Sequence, residues 1–245
     1  MSKEWFKDWF SNKYYLELYK HRDDKEATDL INLVQRNINL SEGSKVLDVC
    51  CGSGRHSIEL AKRGLDVIGF DLSRYLIGEA NKSKKTLKEK KIKLKFLIKD
   101  MRSFDFKKSF DLAINIFSSF GYFESDSENF KVFENINLSL KKDGYFVFDF
   151  LNESYLKNNL IKKDFVIING EKVLQERRIE NDFVFKDIKI GRKVFTERIK
   201  LYSLTVIKNK LKASGFNINR TFGDYYGNIF LKNKSKRFII IAQKN

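Results

Sequence analysis

Short apolar runs alternate with segments of helical spacing over the first 150 residues of the chain. Because the runs are brief and bounded by polar or turn residues, they predict buried strands at 46–49, 67–71, 94–98, 110–116 and 145–150. Helices are predicted at 57–63, 73–88 and 132–140, with a turn at Asp143-Gly144 before the fifth strand. A further helix, capped by Asp23 or Asp24, precedes the first strand. This alternation predicts an α/β fold with a parallel, doubly wound sheet.

The pattern changes at about residue 152. Four strand-like runs, at 165–168, 173–177, 183–188 and 194–199, are separated by Asn-Gly, Asn-Asp and Gly-Arg turns. They predict a small antiparallel β insertion at 152–203 within a main domain of residues 1–151 and 204–245. A helix at 204–213 and two closing strands, from Phe216 and at 238–242, resume the main domain, and these strands are expected to pair as its antiparallel edge.

The stretch 46–71 reads as strand, glycine turn, helix and strand. The glycines at Cys51-Gly52-Ser53-Gly54 allow a sharp turn and close approach of a ligand to the backbone. Asp71, at the tip of the second strand, can accept both hydroxyls of a ribose. The dinucleotide pattern fails because no third glycine follows Gly54, and Asp48 ahead of the turn would repel a pyrophosphate. A cationic nucleoside fits better, and S-adenosylmethionine carries both an amino group and a sulfonium.

Composition bounds the partners. The 245 residues are 42% hydrophobic, enough for a core, and carry a formal net charge of +16. Nucleic acid is therefore a possible partner, but the lysines are spread along the chain and proline is absent, which favours a compositional bias. No apolar run approaches the roughly 20 residues of a membrane span, so we expect no membrane association.

The two cysteines, Cys50 and Cys51, are adjacent and cannot form a disulfide framework. We interpret them as small packing residues in a cytoplasmic protein. His21 and His56 are the two histidines, and no cysteine pair has metal-binding spacing, so neither a zinc site nor a Ser-His-Asp triad is supported.

Six motifs follow one another along the chain: LDVCCGSG, the acid of GFD, KDMR, NIFSSFGYF, LKKDGYFVFD and LYSLTVIKNKLKASGF. In this order and spacing they resemble the class I S-adenosylmethionine-dependent methyltransferases, over roughly residues 23–150 and 200–245. Among these, the chain is most similar to small-molecule methyltransferases with a β-rich insertion before the last helix, including sugar-amine N-methyltransferases. The resemblance implies a Rossmann-like, mostly parallel seven-stranded sheet whose last strand is antiparallel.

The resemblance also implies a set of cofactor-binding residues. The methionine end of the cofactor would be held by Asp48, Cys51, Gly52, Ser53 and Gly54. Asp71 would bind the ribose, Leu72 would flank the adenine, and Asp100, Met101 and Arg102 of KDMR would lie at the adenine amino group. The sulfonium would lie beside Asn115, Ile116 and Phe117, and an N-terminal pair, Tyr19 and Arg22, would close over the cofactor.

Several of these residues have structural alternatives. Asp48 could cap the turn, Asp71 could cap the next helix, and the aromatic N-terminus, 1–22, could be a lid or a helix packed on the core. His56, Tyr122 and the carboxylates of the insertion are candidates for a catalytic base, although a histidine at a helix start usually caps or packs, and Tyr122 could belong to the core. The remaining open cases are solvated or anion-binding roles for Arg177, Arg178 and Arg198, and site-covering or chain-turning roles for Tyr225 and Tyr226.

The sequence thus predicts a methyltransferase that uses S-adenosyl-L-methionine, releases S-adenosyl-L-homocysteine and acts on a nitrogen or oxygen of a small molecule. The insertion is expected to form a substrate cap or a homodimer surface. Alternatives are an RNA or protein methyltransferase and a non-catalytic module that binds the cofactor.

Overall fold

The computed structural model describes residues 4–22, 24–87 and 92–245. Its helices are α1 (Trp5–Phe10), α2 (Lys13–Leu18), α3 (Asp24–Asn37), α4 (Arg55–Lys62), α5 (Arg74–Lys85), α6 (Asp126–Ser139), α7 (Glu153–Asn159) and α8 (Leu204–Ala213). Its strands are β1 (Lys45–Val49), β2 (Asp66–Asp71), β3 (Leu94–Ile98), β4 (Phe110–Asn115), β5 (Leu140–Leu151), β6 (Lys163–Ile168), β7 (Glu171–Glu180), β8 (Phe183–Ile190), β9 (Lys193–Lys200), β10 (Phe216–Phe222) and β11 (Arg237–Lys244).

The main sheet has seven strands in the order β10-β11-β5-β4-β1-β2-β3. Strands β1 to β5 pair in parallel, and β11 runs antiparallel to both β5 and β10. The predicted α/β sheet with an antiparallel last strand is confirmed. Because the strand order reverses between β4 and β1, the carboxyl ends of these strands border the crevice where such sheets bind ligands.

Some predicted boundaries are wrong. The turn expected at Asp143-Gly144 lies inside β5, where Asp143 has a φ of 60° and the pairing with β4 shifts register. Helix α6 ends at Ser139, so Leu140 belongs to the strand, and Leu138 is exposed rather than buried on the helix face. Helix α5 ends at Lys85, while Asp23 and Lys88 lie outside the described residues.

The core is unusually aromatic on one side of the main sheet. Phe120, from the loop after β4, stacks on Phe133 of α6 with ring centroids 5.0 Å apart and meets Phe148 of β5 edge-on. The other side is filled by aliphatic side chains such as Leu30 and Ile31 of α3. Close aromatic and aliphatic packing on both sides fixes the strand ends that carry the site.

The insertion forms a separate antiparallel sheet, β6-β7-β8-β9, which lies within the predicted span 152–203. The N-terminal helices pack against this sheet: the Trp9 ring lies 4.9 Å from the Phe195 ring, and the Trp9 indole donates to Glu197 at 2.6 Å. Trp5, Phe6 and Trp9 of the N-terminal segment are therefore buried rather than exposed. Among the described residues, every helix is too short or too polar to cross a membrane.

Candidate functional site

The turn after β1 has the backbone that the glycine pattern predicts. Gly54 is the N-cap of α4 with a φ of 83°, and a Cβ at this position would lie 2.5 Å from the Phe96 ring. Cys50 is also left-handed, with a φ of 61°. Burial raises the pKa of both Cys50 and Cys51 well above the ordinary thiol value, so they are poor nucleophiles at neutral pH.

Asp48 lies at the floor of this turn, and its carboxylate accepts a hydrogen bond from Ser57 Oγ at 2.6 Å. Its side chain is almost completely buried yet lines a cavity. Burial raises the pKa of Asp48 to about 7, although the Ser57 hydroxyl opposes the shift. A cation placed beside this carboxyl would reverse the shift, because a nearby positive charge favours the ionised form.

The cavity beside the turn, here called the turn cavity, has a volume of about 380 Å³. It is bounded by the turn, by the loop after β4 and by the N-terminal segment. The residues predicted for the site that line this cavity are Tyr19, Arg22, Asp48, Cys51, Gly52, Ser53, His56, Ile116 and Phe117. The structure thus brings together residues that lie up to 98 positions apart in the sequence, from Tyr19 to Phe117.

Asp71 and Asp100 meet at a second, narrower space of about 60 Å³, the strand-tip cavity, which Leu72 and Met101 also line. Asp71 accepts from the backbone N–H of Ser73 at 2.8 Å and of Gly52 at 3.1 Å. These bonds oppose the rise in its pKa that burial causes. The helix-capping role considered for Asp71 is wrong, because Ser73 is the N-cap of α5. Asp71 is instead a local backbone acceptor whose carboxylate also lines the strand-tip cavity.

Arg102 pairs with Asp100 at 2.7 Å and with Glu128 at 3.1 Å. Its guanidinium also lies over the Phe123 ring, 4.5 Å from the centroid. Arg102 therefore orients the Asp100 carboxylate at the rim of the strand-tip cavity.

A third space of about 540 Å³, the sheet cavity, lies between the inserted sheet and the N-terminal helices. It adjoins the turn cavity, since Tyr15, Tyr19, Arg22 and Phe117 line both. Most of its wall is apolar and comes from α1, α2, α7 and the inserted strands. Tyr15, which the sequence did not single out, lines all three cavities.

A charged cluster lies at one wall of the sheet cavity. Tyr19 donates to both carboxylate oxygens of Glu197, at 2.7 and 2.8 Å, and accepts from Lys186 Nζ at 2.9 Å. Burial raises the pKa of Tyr19 and lowers that of Lys186. Lys186 and Glu197 are direct partners across β8 and β9. The alternation of side chains along β8 and β9 is a signal that could have placed Lys186 and Glu197 on one face of the sheet. Nothing in the sequence indicated that Tyr19 would contact them.

The two candidate bases outside the insertion, His56 and Tyr122, have unsuitable environments. His56 is buried with no hydrogen-bond partner for Nε2 among the described residues, and burial together with the charges of Arg55 and Arg237 lowers its pKa to about 3. Tyr122 packs against the rings of Trp5 and Phe6 and also lines the sheet cavity, and burial raises its pKa far above the ordinary value. Neither group takes up a proton readily at neutral pH.

The loop after β4 divides the predicted residues. Ile116 and Phe117 line the turn cavity, whereas Asn115 is buried beneath the loop, where its amide donates to the carbonyls of Val49 and Ser119 at 3.1 Å each. Asn115 therefore supports the strand ends from below. The Phe117 ring stacks on the guanidinium of Arg22 at 3.6 Å.

The arginines of the insertion differ from one another. Arg177 lines the sheet cavity and pairs with Asp164 at 3.0 Å, Arg178 pairs with Asp187 at 2.5 Å, and Arg198 is buried against Glu124. A solvated role is therefore wrong for Arg177 and Arg198. Of the two late tyrosines, Tyr225 is buried and Tyr226 is exposed.

No group of three or more His, Cys, Asp or Glu side chains suited to a metal ion occurs in the described ranges 4–22, 24–87 and 92–245.

Comparison with known sequences agrees with this geometry. A family model described as a methyltransferase domain matches residues 46–144. The chain is 29% identical over 136 residues to the putative methyltransferase YqeM of Bacillus subtilis, spanning 55% of this chain and about half, 51%, of that relative. It is 25% identical to the putative methyltransferase GWCH70_2453 of a Geobacillus species over 83% of this chain and 86% of the relative. A dTDP-amino-sugar N,N-dimethyltransferase of Streptomyces venezuelae is 32% identical over 42% of this chain and 40% of its own length.

Solved structures extend the likeness to nearly the whole chain. An S-adenosylmethionine-dependent methyltransferase from Clostridium acetobutylicum has a TM-score of 0.78 at 22% identity, covering 95% of this chain and 96% of its own. The CcbJ methyltransferase of Streptomyces caelestis has a TM-score of 0.80 at 13% identity, with coverage of 96% and 97%. The sugar N-methyltransferase KedS8 of a Streptoalloteichus species has a TM-score of 0.69 at 18% identity, with coverage of 94% and 93%. Residues 46–144 thus match a methyltransferase domain, and the chain shares the fold of solved S-adenosylmethionine-dependent methyltransferases.

Proposed function

We propose that this chain transfers a methyl group from S-adenosylmethionine to an amine of a small molecule bound in the sheet cavity. The observation that carries the proposal is the adjacency of two cavities of about 380 and 540 Å³ that share Tyr15, Tyr19, Arg22 and Phe117. A volume of several hundred Å³ with mostly apolar walls is typical of small-molecule sites. Similarity to amino-sugar and sugar N-methyltransferases supports the same substrate class.

The residues around the turn suit the cofactor. The buried Asp48 carboxyl offers a counter-charge to the amino group and sulfonium of the methionine end, and Arg22 offers one to its carboxylate. Asp71 and Asp100 present acceptors for the ribose hydroxyls and the adenine amino group. When bound, the cofactor supplies a methyl group that is already activated by its sulfonium leaving group.

The protein's contribution is then positioning. The side chains of Phe117, Tyr15 and Tyr19 hold the boundary between the two cavities and exclude water from it. Holding the nucleophile in line with the transferred group can be worth roughly 7–11 kcal/mol of barrier. Lys186, Glu197 and Arg177 give the acceptor fixed polar contacts in an otherwise apolar cavity.

An amine is favoured over a hydroxyl because His56 and Tyr122 are poorly matched to deprotonation, and the insertion carboxylates in the sheet cavity, Glu197 and Asp164, are already bound by Tyr19 and Arg177. An amine attacks from its neutral form, which it reaches by exchange with solvent, whereas a hydroxyl must lose its proton as it reacts. The pKa of about 3 at His56 and the raised pKa of Tyr122 suit neither for removing a hydroxyl proton at neutral pH.

A transfer assay with labelled S-adenosylmethionine tests the proposal, using amines, amino sugars, matched hydroxyl compounds and RNA as acceptors. Methylation of a small amine is the expected result. Methylation of RNA alone, with affinity that falls steeply as salt is added, would support a nucleic-acid substrate instead. If S-adenosylmethionine binds in calorimetry but none of the acceptors is methylated, the chain is a non-catalytic binding module.

A further inference from the structure

Asp149, in β5, is fully buried and ties together three separate parts of the chain. Its carboxylate accepts from the Phe117 N–H at 2.8 Å, from the Tyr225 hydroxyl at 2.7 Å and from Arg237 Nη1 at 2.5 and 2.6 Å. Its backbone carbonyl accepts from the Ser118 N–H at 3.1 Å. A carboxylate with this many charged and polar partners holds each of them in a fixed direction.

The loop segment it holds is strained. Phe117 and Ser118 have φ values of 67° and 59°, so two successive non-glycine residues are left-handed. Such residues are uncommon and persist only where their surroundings enforce them. Here both of their N–H groups end on Asp149, one on its carboxylate and one on its carbonyl. Asp149 therefore supplies the restraint that this backbone requires.

The strain has a consequence for the position of one aromatic ring. Phe117 lines the turn cavity and the sheet cavity, and its ring is stacked on Arg22 at 3.6 Å. Arg237, neutralised by Asp149, lies 5.7 Å from the same ring and also lines the sheet cavity. The Asp149 carboxylate thus sets both the ring at the boundary of the two cavities and the charge beside the acceptor.

We propose that Asp149 is a positioning residue for methyl transfer, which fixes the Phe117 ring at the boundary where cofactor and acceptor meet. This inference rests on the proposed function. A residue that only stabilised the fold would affect kcat independently of Phe117. The positioning role instead predicts that Asp149 and Phe117 act on kcat together.

A double-mutant cycle tests that unity. Asp149→Asn removes the charge that restrains the loop, and Phe117→Ala removes the ring while keeping a side chain at the left-handed position. Each is expected to lower kcat by between about tenfold and 100-fold, the range that misplacement of reacting groups produces. The double variant is expected to lose little more than either single variant, because the ring has no effect once its restraint is gone.

Two further variants separate positioning from stability. Tyr202→Phe removes a buried hydroxyl that donates to Asp126 at 2.6 Å but keeps the ring that packs on Phe120 of the loop, so it should lower the melting temperature without lowering kcat. Asp149→Glu retains the charge for Arg237 but is longer by one methylene, so kcat should fall even where stability is kept. It also serves as the single variant if Asp149→Asn does not fold.

The outcomes are distinct. Fully additive losses in the cycle, or Asp149 variants that lose stability but keep kcat, would overturn the positioning role while leaving the proposed function intact. A wild-type chain that methylates no acceptor would overturn the proposed function and this role with it. Non-additive loss of kcat, with S-adenosylmethionine still bound in calorimetry, supports the role.

Discussion

The raised pKa of Asp48 predicts that cofactor affinity depends on pH. In the ligand-free protein, burial moves the Asp48 pKa from 3.8 to about 7, so the carboxyl is mostly neutral below that pH. In the binding mode proposed above, the positively charged end of S-adenosylmethionine requires the carboxylate. Binding must therefore expel the proton, and the cost of ionising Asp48 is subtracted from the affinity.

The size of the effect follows from the pKa. The apparent affinity is the affinity of the ionised form divided by one plus the ratio of neutral to ionised Asp48. With a pKa of about 7, this divisor is roughly 30 at pH 5.5 and about 2 at pH 7. Affinity should therefore rise about 15-fold between these pH values, or roughly 1.6 kcal/mol. About one proton should be released per ligand at pH 5.5 and about half a proton at pH 7.

Calorimetric titrations with S-adenosylmethionine in two buffers of different ionisation enthalpy measure both quantities. Asp48→Asn is the matched variant, since it can keep the acceptor for Ser57 Oγ but cannot titrate. We expect it to bind more weakly at pH 7 and with a flat pH dependence. An Asp48→Asn variant with the wild-type pH dependence would show that another group takes part and that Asp48 does not face the cofactor.

The raised pKa of Asp48 also makes the free energy of unfolding depend on pH. Because the Asp48 pKa is higher in the folded chain than the ordinary value of 3.8, its contribution to the free energy of unfolding is greatest below pH 4. That contribution falls as the pH rises toward 7. Denaturant unfolding of the ligand-free wild type and of Asp48→Asn should therefore diverge in favour of the variant as the pH rises. A constant difference between the two would contradict the buried, mostly neutral carboxyl.

Three further predictions concern other parts of the structure. Asp71→Ala should weaken S-adenosylmethionine binding by about tenfold or more, as the loss of hydrogen bonds from a carboxylate implies; Asp66→Ala, at the other end of β2, should leave calorimetric affinity unchanged, and equal effects would remove Asp71 from the site. Glu197→Gln removes the charge beside Lys186 and weakens the hold on Tyr19, so the KM for the acceptor should rise more than that for the cofactor in steady-state kinetics; a rise for the cofactor alone would contradict the assignment of the sheet cavity. Phe120→Ala should lower the free energy of unfolding by about 3–5 kcal/mol in denaturant titration, because it empties the centre of the aromatic core, and a loss below 1 kcal/mol would mean that the core repacks.

The elements that depend on local chemistry could be predicted from the sequence. The helix at 204–213 has the predicted bounds, because Ser203 caps it and Ser214-Gly215 follow its last turn. The glycine turn, the strand ending at Asp71 and the four inserted strands follow from periodicity and turn residues in the same way. These signals require no knowledge of distant parts of the chain.

The errors arise where tertiary pairing overrides a local signal. Asp143-Gly144 has the composition of a turn, yet Phe110 pairs with Leu140, so β5 begins before this dipeptide and absorbs it as an irregularity. The Tyr19, Lys186 and Glu197 cluster joins residues up to 178 positions apart. Asp149 likewise has partners 32, 76 and 88 residues away, and no sequence motif marks such contacts.

The hydrogen bond from Trp9 to Glu197 spans 188 positions and links the start of the chain to the inserted sheet. The wall of the sheet cavity is therefore built from two segments that lie far apart in the sequence. The inserted sheet does not form this wall alone. A chimera that exchanges only residues 152–203 for those of a relative would remove the contact partners of its own N-terminal helices. To change the shape of the sheet cavity by exchange with a relative, residues 4–22 and the insertion must be replaced together.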